Sequence, residues 1–110
     1  MANTFKNAAL ANVSNGSYDT LYTAPSATTT VVLGVALANK SSAGITATLQ
    51  FTDTSAGTTH QLLHGVTIPG NTTLEVLAGQ KYILETGDLL KVQADATSAL
   101  DVVLGIMEIT

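Results

Sequence analysis

Residues 45–52 alternate strictly: Ile45, Ala47, Leu49 and Phe51 are apolar, while Thr46, Thr48, Gln50 and Thr52 are polar. Successive side chains of a strand point to opposite faces, so this pattern predicts a strand with one face in a core and the other in water. Asp53-Thr54-Ser55-Ala56-Gly57 is a run of turn formers, and extended sequence resumes over residues 58–68, which together predict a hairpin. Residues 31–38 behave differently. Alternation places Val31, Leu33, Val35 and Leu37 on one face and Val32, Gly34, Ala36 and Ala38 on the other, and both faces are apolar. Such a strand is either covered on both sides or carries a contact surface. The end of the chain repeats the pattern, with Leu100, Val102, Leu104 and Ile106 opposing Val103, Gly105, Met107 and Ile109. Two doubly apolar strands are more than the core of so small a chain requires.

The intervening sequence reads as short strands divided by turn signals. Pro69-Gly70-Asn71 precedes a strand at 72–77, Ala78-Gly79-Gln80 turns into one at 81–85, and Thr86-Gly87-Asp88 introduces another at 89–94. Upstream, residues 17–24 form a strand ended by Pro25-Ser26, residues 40–44 a turn, and residues 1–13 an N-terminal arm or edge strand. About seven to nine short strands, with no helical pattern competing, predict an all-β antiparallel β-sandwich or jelly-roll-like domain spanning residues 1–110.

Composition sharpens this picture. Charged residues are only 11% of the chain, against roughly a quarter in an ordinary soluble domain, while 18 Thr and 15 Ala take up much of it. Threonine suits a pleated surface, but so neutral an exterior protects a monomer poorly against association. The expectation is a subunit covered by neighbours. Lys6, Lys40, Lys81 and Lys91 are the only cations besides the terminus, and arginine is absent, which argues against phosphate or base recognition. No apolar run reaches membrane-spanning length and residues 1–12 lack a signal-peptide pattern, so the chain is expected to be soluble, made in the cytoplasm and free of membrane partners. Without cysteine there is neither a disulfide framework nor a thiolate site.

Candidate chemistry is sparse. His60 and His64 would share a metal ion on a helix, but on a strand they stand about 13 Å apart, so no metal site within one subunit is expected. Most of the carboxylates Asp53, Glu75, Glu85, Asp88, Asp95, Asp101 and Glu108 fall at turns or strand ends, where they serve backbone donors. No nucleophile elbow or phosphate-cradling loop is present, and no catalytic residue or cofactor is expected. Gly34 and Gly105 lie inside strands, where a missing side chain permits a bulge or the close approach of another backbone. Tyr18 and Tyr22, at even spacing, are expected to share a strand face and to pack rather than stack on a ligand.

The order of strand-and-turn words carries a resemblance. Phe5-Lys6-Asn7-Ala8, Leu21-Tyr22-Thr23-Ala24-Pro25, Thr28-Thr29-Thr30-Val31-Val32-Leu33-Gly34, Ile68-Pro69-Gly70, Leu84-Glu85-Thr86-Gly87-Asp88-Leu89 and the terminal Asp101-Val102-Val103 to Glu108-Ile109 follow one another through nearly the whole chain. In this it resembles the small β-sandwich virion structural proteins of tailed bacteriophages and cyanophages. The resemblance implies a non-enzymatic subunit without a cofactor, added by repetition to a capsid as a decoration (cement) protein, or alternatively to a neck, tail or fibre, where it would act as an adhesin for a receptor or carbohydrate. It also implies a homo-oligomer, a trimer above all, with the major capsid protein or other virion proteins as partners. The apolar second faces locate the expected interface at Val32, Ala36, Ala38, Val103, Met107 and Ile109.

Overall fold

The computed structural model describes residues 2–77 and 80–110. Among them are nine strands: β1 (Asn3–Leu10), β2 (Asp19–Thr23), β3 (Thr29–Asn39), β4 (Ile45–Asp53), β5 (Thr58–Ile68), β6 (Thr72–Glu75), β7 (Tyr82–Leu84), β8 (Leu89–Ala94) and β9 (Leu100–Ile109). One sheet runs β1-β9-β3, with β6 and β7 both on the free side of β3, and the other runs β2-β8-β4-β5. Every strand pairing is antiparallel. The wiring is that of a jelly roll: the chain alternates between sheets at each crossover, and β6 with β7 together fill one strand position.

The core lies between the sheets and follows from period two. Leu100, Val102, Leu104 and Ile106 of β9 face Ile45, Ala47 and Leu49 of β4 and Leu90, Val92 and Ala94 of β8, all of them buried. The hairpin predicted around residues 53–57 joins β4 to β5. Asp53 accepts bonds there from Ser55 Oγ and Ala56 N–H. Gln80 N–H bonds to the Leu77 carbonyl, while Ala78 and Gly79 of the expected turn lie outside the described residues.

Register shifts in three strands correct the faces expected from simple alternation. In β3, Val32 pairs with Ile106 but Gly34 pairs with Gly105, so Leu33 is an extra residue and the alternation resets after it. Val32, expected on the outer face, is therefore core at 1% exposure, whereas Leu33, expected on the face of Val35, is exposed. In β2 the shift falls between Thr20 and Tyr22, and Tyr18 lies ahead of the strand in the open. Tyr22 instead reaches inward, so the two tyrosines do not share a face. The edge strand β5 slips twice against β4, around Gly65 and again between Leu63 and Gln61.

Two buried polar side chains tie the loops. Asn39, 2% exposed, donates to the carbonyls of Ala43, Ile68 and Pro69 at 2.9, 2.9 and 3.2 Å and accepts from Ser41 N–H and Oγ. It thus clamps the β3–β4 turn to the β5–β6 turn. Gly70 lies so close beneath that any Cβ there would collide with the Ser42 carbonyl. Near the other end Asp88 accepts from the N–H groups of Glu85 and Thr54, joining the β7–β8 turn to the β4–β5 turn. The two chain ends meet in reciprocal backbone bonds between Ala2 and Thr110, at 3.2 and 3.0 Å.

Candidate functional site

The two outer faces of the sandwich are chemically opposite. On the four-stranded sheet the outward rows are Thr46 with Thr67, Thr48 with Gln93, Gln50 with Lys91 and Gln61, and Thr52 with Thr59. The Thr52 and Thr59 hydroxyls bond to each other at 3.2 Å. This face satisfies itself and water.

The outer face of the five-stranded sheet is apolar in its middle, with Asn7 on β1 and Glu75 on β6 standing in its rows at the two edges. Directly paired residues of an antiparallel ladder share a face, so the registers place Phe5, Met107, Val31 and Ile83 in one row across β1, β9, β3 and β7. Ala9, Val103 and Ala36 form a second row, Ile109 lies beside Thr29, and Ala38 lies beside Asp101. Phe5 is 73% exposed, Ile83 54% and Val103 53%. Gly34 and Gly105 sit opposite each other between the rows, and a Cβ on either would meet nothing within 4 Å. They leave a flat saddle open to a neighbour. Of the six residues expected at an interface, Ala36, Ala38, Val103, Met107 and Ile109 share this face and Val32 does not. Phe5, Val31 and Ile83 were missed. Their signal lay in register rather than in any one strand, because Phe5 joins the row only through its pairing with Met107.

The face ends in charge. Asp101 accepts the Asn12 N–H and holds Lys40 at 3.0 Å, and these bonds, the first above all, keep its carboxyl below the usual range. Beneath the face, near the β1–β2 edge, Glu108 accepts from Tyr22 Oη at 2.5 Å and pairs with Lys6 at 2.9 Å, while Tyr22 also meets Thr30 Oγ1 at 3.0 Å. The Tyr22 and Lys6 contacts hold the Glu108 carboxyl below its usual range. Burial, followed by the bond to Glu108, pushes the Tyr22 phenol up to about 12. The cluster joins β2 of one sheet to β1, β3 and β9 of the other, so it is a clasp between sheets. Its signal was present in the sequence: two residues past Ile106, Glu108 falls on the core face.

His60 and His64 both lie exposed on β5, with a register slip between them. Among the described residues no three His, Cys, Asp or Glu side chains are placed to hold a metal ion. No helix there is long and apolar enough to cross a membrane. Two concavities among the described residues bear on binding. One, of about 190 Å³, is lined by Asn15, Gly16, Thr46, Thr48, Gln93, Ala94 and Asp95, a polar groove without an aromatic ring. The other, of about 130 Å³, opens at the β5–β7 edge between Phe51, Leu62, Tyr82, Ile83 and Leu90 and is almost wholly apolar.

No family model and no curated protein matches the chain. Among solved structures it is similar to one described as Bacillus endospore appendages forming disulfide-linked pili, with a TM-score of 0.50 and 10% identity over 96% of this chain and 84% of that one. It is also similar to the virus-like particle of extra small virus from the prawn Macrobrachium rosenbergii, with a TM-score of 0.44 and 14% identity over 98% and 79% of the two chains. A structure of infectious bursal disease virus, Gx strain, aligns with a TM-score of 0.48 and 10% identity over 96% of this chain and 31% of that one. At 10% identity the likeness to the appendage structure is one of fold alone.

Proposed function

We propose that residues 1–110 act as one non-enzymatic structural domain of a tailed-phage virion, a capsid decoration protein that self-associates as a trimer and fastens to the major capsid protein. The observation that carries this reading is the outer face of the five-stranded sheet. Contiguous apolar surface on a soluble chain marks an interface, and here it lies opposite a face of threonine and glutamine. The sequence resemblance supplies the phage assignment. The protein is made in the host cytoplasm and resides in the virion, with no role for nucleic acid, membrane, metal or cofactor.

The pilus fold likeness favours a second reading, a neck, tail or fibre component. The disulfide linkage named for those pili has no counterpart here, because the chain lacks cysteine, so assembly through the apolar face would be noncovalent. An adhesin that binds carbohydrate is the weaker form of this second reading, since no ring lines the polar groove.

Val103→Asp or Met107→Asp places a charge on the face without touching the core, and light scattering should report loss of the oligomer while circular dichroism stays unchanged. The wild-type protein should bind undecorated capsids saturably and raise their melting temperature. A monomeric wild type at every concentration would refute self-association, and binding to isolated tails in place of capsids would move the assignment to the second reading.

A further inference from the structure

Three side chains from separate parts of the chain meet at one end of the five-stranded sheet. Asn12 follows β1, Lys40 follows β3, and Asp101 lies on β9 between those strands. Lys40 Nζ donates to Asn12 Oδ1 at 2.6 Å and pairs with Asp101 Oδ1 at 3.0 Å, and the same carboxylate oxygen accepts the Asn12 N–H at 3.0 Å. A lysine amine in its charged form has only donors, so the atom that faces it is the amide oxygen. The amide carbon Cγ, one C=O bond beyond, then stands within about 3.8 Å of Nζ, close to the separation from which bound groups react. The backbone fixes both partners: Lys40 N–H donates to the Ala99 carbonyl at 2.8 Å, and Asn12 turns the corner after β1 with a φ of 56°. An amine, a carboxamide and a carboxylate are thus held in mutual contact.

We propose that Lys40 and Asn12 join in an intramolecular isopeptide bond, with Asp101 as the base that carries the proton. The reacting species is the free amine, Lys40 having first lost one proton to solvent. Its lone pair attacks Asn12 Cγ, and Asp101 takes a proton from Nζ and delivers it to Nδ2. The Cγ–Nδ2 bond then breaks, the Nζ–Cγ amide remains, and one ammonia leaves; Asp101 ends as the carboxylate it began. Competing attack is restrained. The usual internal nucleophile toward an asparagine is the next backbone nitrogen, but Val13 N–H donates to the Leu100 carbonyl at 2.9 Å and Val13 is wholly buried. Lys40 and Asp101 are both partly exposed, so ammonia escapes directly to water and its dilution makes the step irreversible. The bond ties the end of β1 to the end of β3 across β9. It closes a loop through residues 12–40, restraining the unfolded chain as a disulfide would in a chain that has no cysteine. This chemistry goes beyond the virion reading and does not depend on it.

The test is mass spectrometry of the folded, full-length protein after prolonged incubation at about pH 9, where more of a lysine amine is free than at neutral pH. Loss of ammonia lowers the mass by about 17 Da. An imide at Asn15-Gly16 would lose the same mass, so the bond is placed by digestion. Trypsin should no longer cut after Lys40, yielding residues 7–81 as one peptide in place of 7–40 and 41–81, with fragmentation locating the link between Asn12 and Lys40. Lys40→Arg and Asn12→Ala should abolish it. Asp101→Asn should slow it about a hundredfold, with Asp101→Ser in its place if that variant misfolds by circular dichroism. Unimpeded cleavage after Lys40 in the incubated wild type overturns the proposal, as does conversion of Asn12 to aspartate in place of the link. A loss of ammonia that persists in Lys40→Arg assigns it to another site and likewise overturns the bond. An undiminished rate in both Asp101 variants overturns the part given to that carboxylate.

Discussion

Asn39 offers the sharpest test of how the loops are held. Its two amide hydrogens are shared among the carbonyls of Ala43, Ile68 and Pro69, and its oxygen accepts from Ser41 N–H and Oγ. Asn39→Ala removes all of these at a site only 2% exposed. Taking about 1 kcal/mol net for each of two donated bonds, and about 1–2 kcal/mol for buried backbone groups left without partners, the loss is about 3–4 kcal/mol. For a domain of this size that lowers the melting temperature by roughly 12–25 °C. Urea unfolding should show a reduced midpoint with an unchanged slope. Asn39→Asp separates hydrogen bonding from packing, since it keeps the size and the bonds from Ser41 but aims lone pairs at three carbonyls. A buried carboxyl there has its pKa raised above the unfolded value, so its protonated form is tolerated at low pH and stability is lost as pH rises. It should be less stable than Asn39→Ala at pH 7, with the gap closing near pH 4. A loss below about 1 kcal/mol for Asn39→Ala would refute the clamp.

Other outcomes follow from the same geometry. The Tyr22 phenol is raised to about 12 in the folded protein, above the unfolded value near 10, so its contribution is full below pH 10 and is lost as pH rises toward 12. Tyr22→Phe should flatten that alkaline limb in pH-dependent melting. Glu108 and Asp101 are depressed, so their contributions hold above the ordinary carboxyl range and vanish as pH falls through the folded values. Glu108→Gln should shallow the acid limb, as measured by denaturation across pH 2–5. Gly70→Ala should cost about 2 kcal/mol or more through collision with the Ser42 backbone, whereas Gly105→Ala, meeting nothing, should melt like wild type yet weaken self-association by filling the saddle.

The strands were legible because period two is a local property. Ile45, Ala47 and Leu49 against Thr46 and Thr48 announce their faces unaided, and glycine and proline mark the turns between strands. The jelly-roll wiring was legible only as a class, since crossovers are set by which faces meet. Bulges were hidden. Nothing local distinguishes Leu33 from its neighbours, because an extra residue is defined against the partner strand, and one such residue moved Val32 from the surface to the core. Asn39 falls between the strand read over residues 31–38 and the turn over 40–44, and its role arises from carbonyls brought by residues 43, 68 and 69. The candidate face was readable strand by strand, but its continuity through Phe5 and Ile83 was not, because a row across a sheet depends on register.

The meeting of Ala2 with Thr110 has a mechanical consequence. Because β1 and β9 are antiparallel and both chain ends leave at the same end of that pair, a tension applied between the ends opens the β1–β9 ladder one bond at a time, like a zipper. Tension spread across the strands through the sheet face instead loads many bonds together. The fold is thus weak along its own chain and strong through its surfaces, so it bears strain best when neighbours grip it by its faces and nothing pulls on its ends.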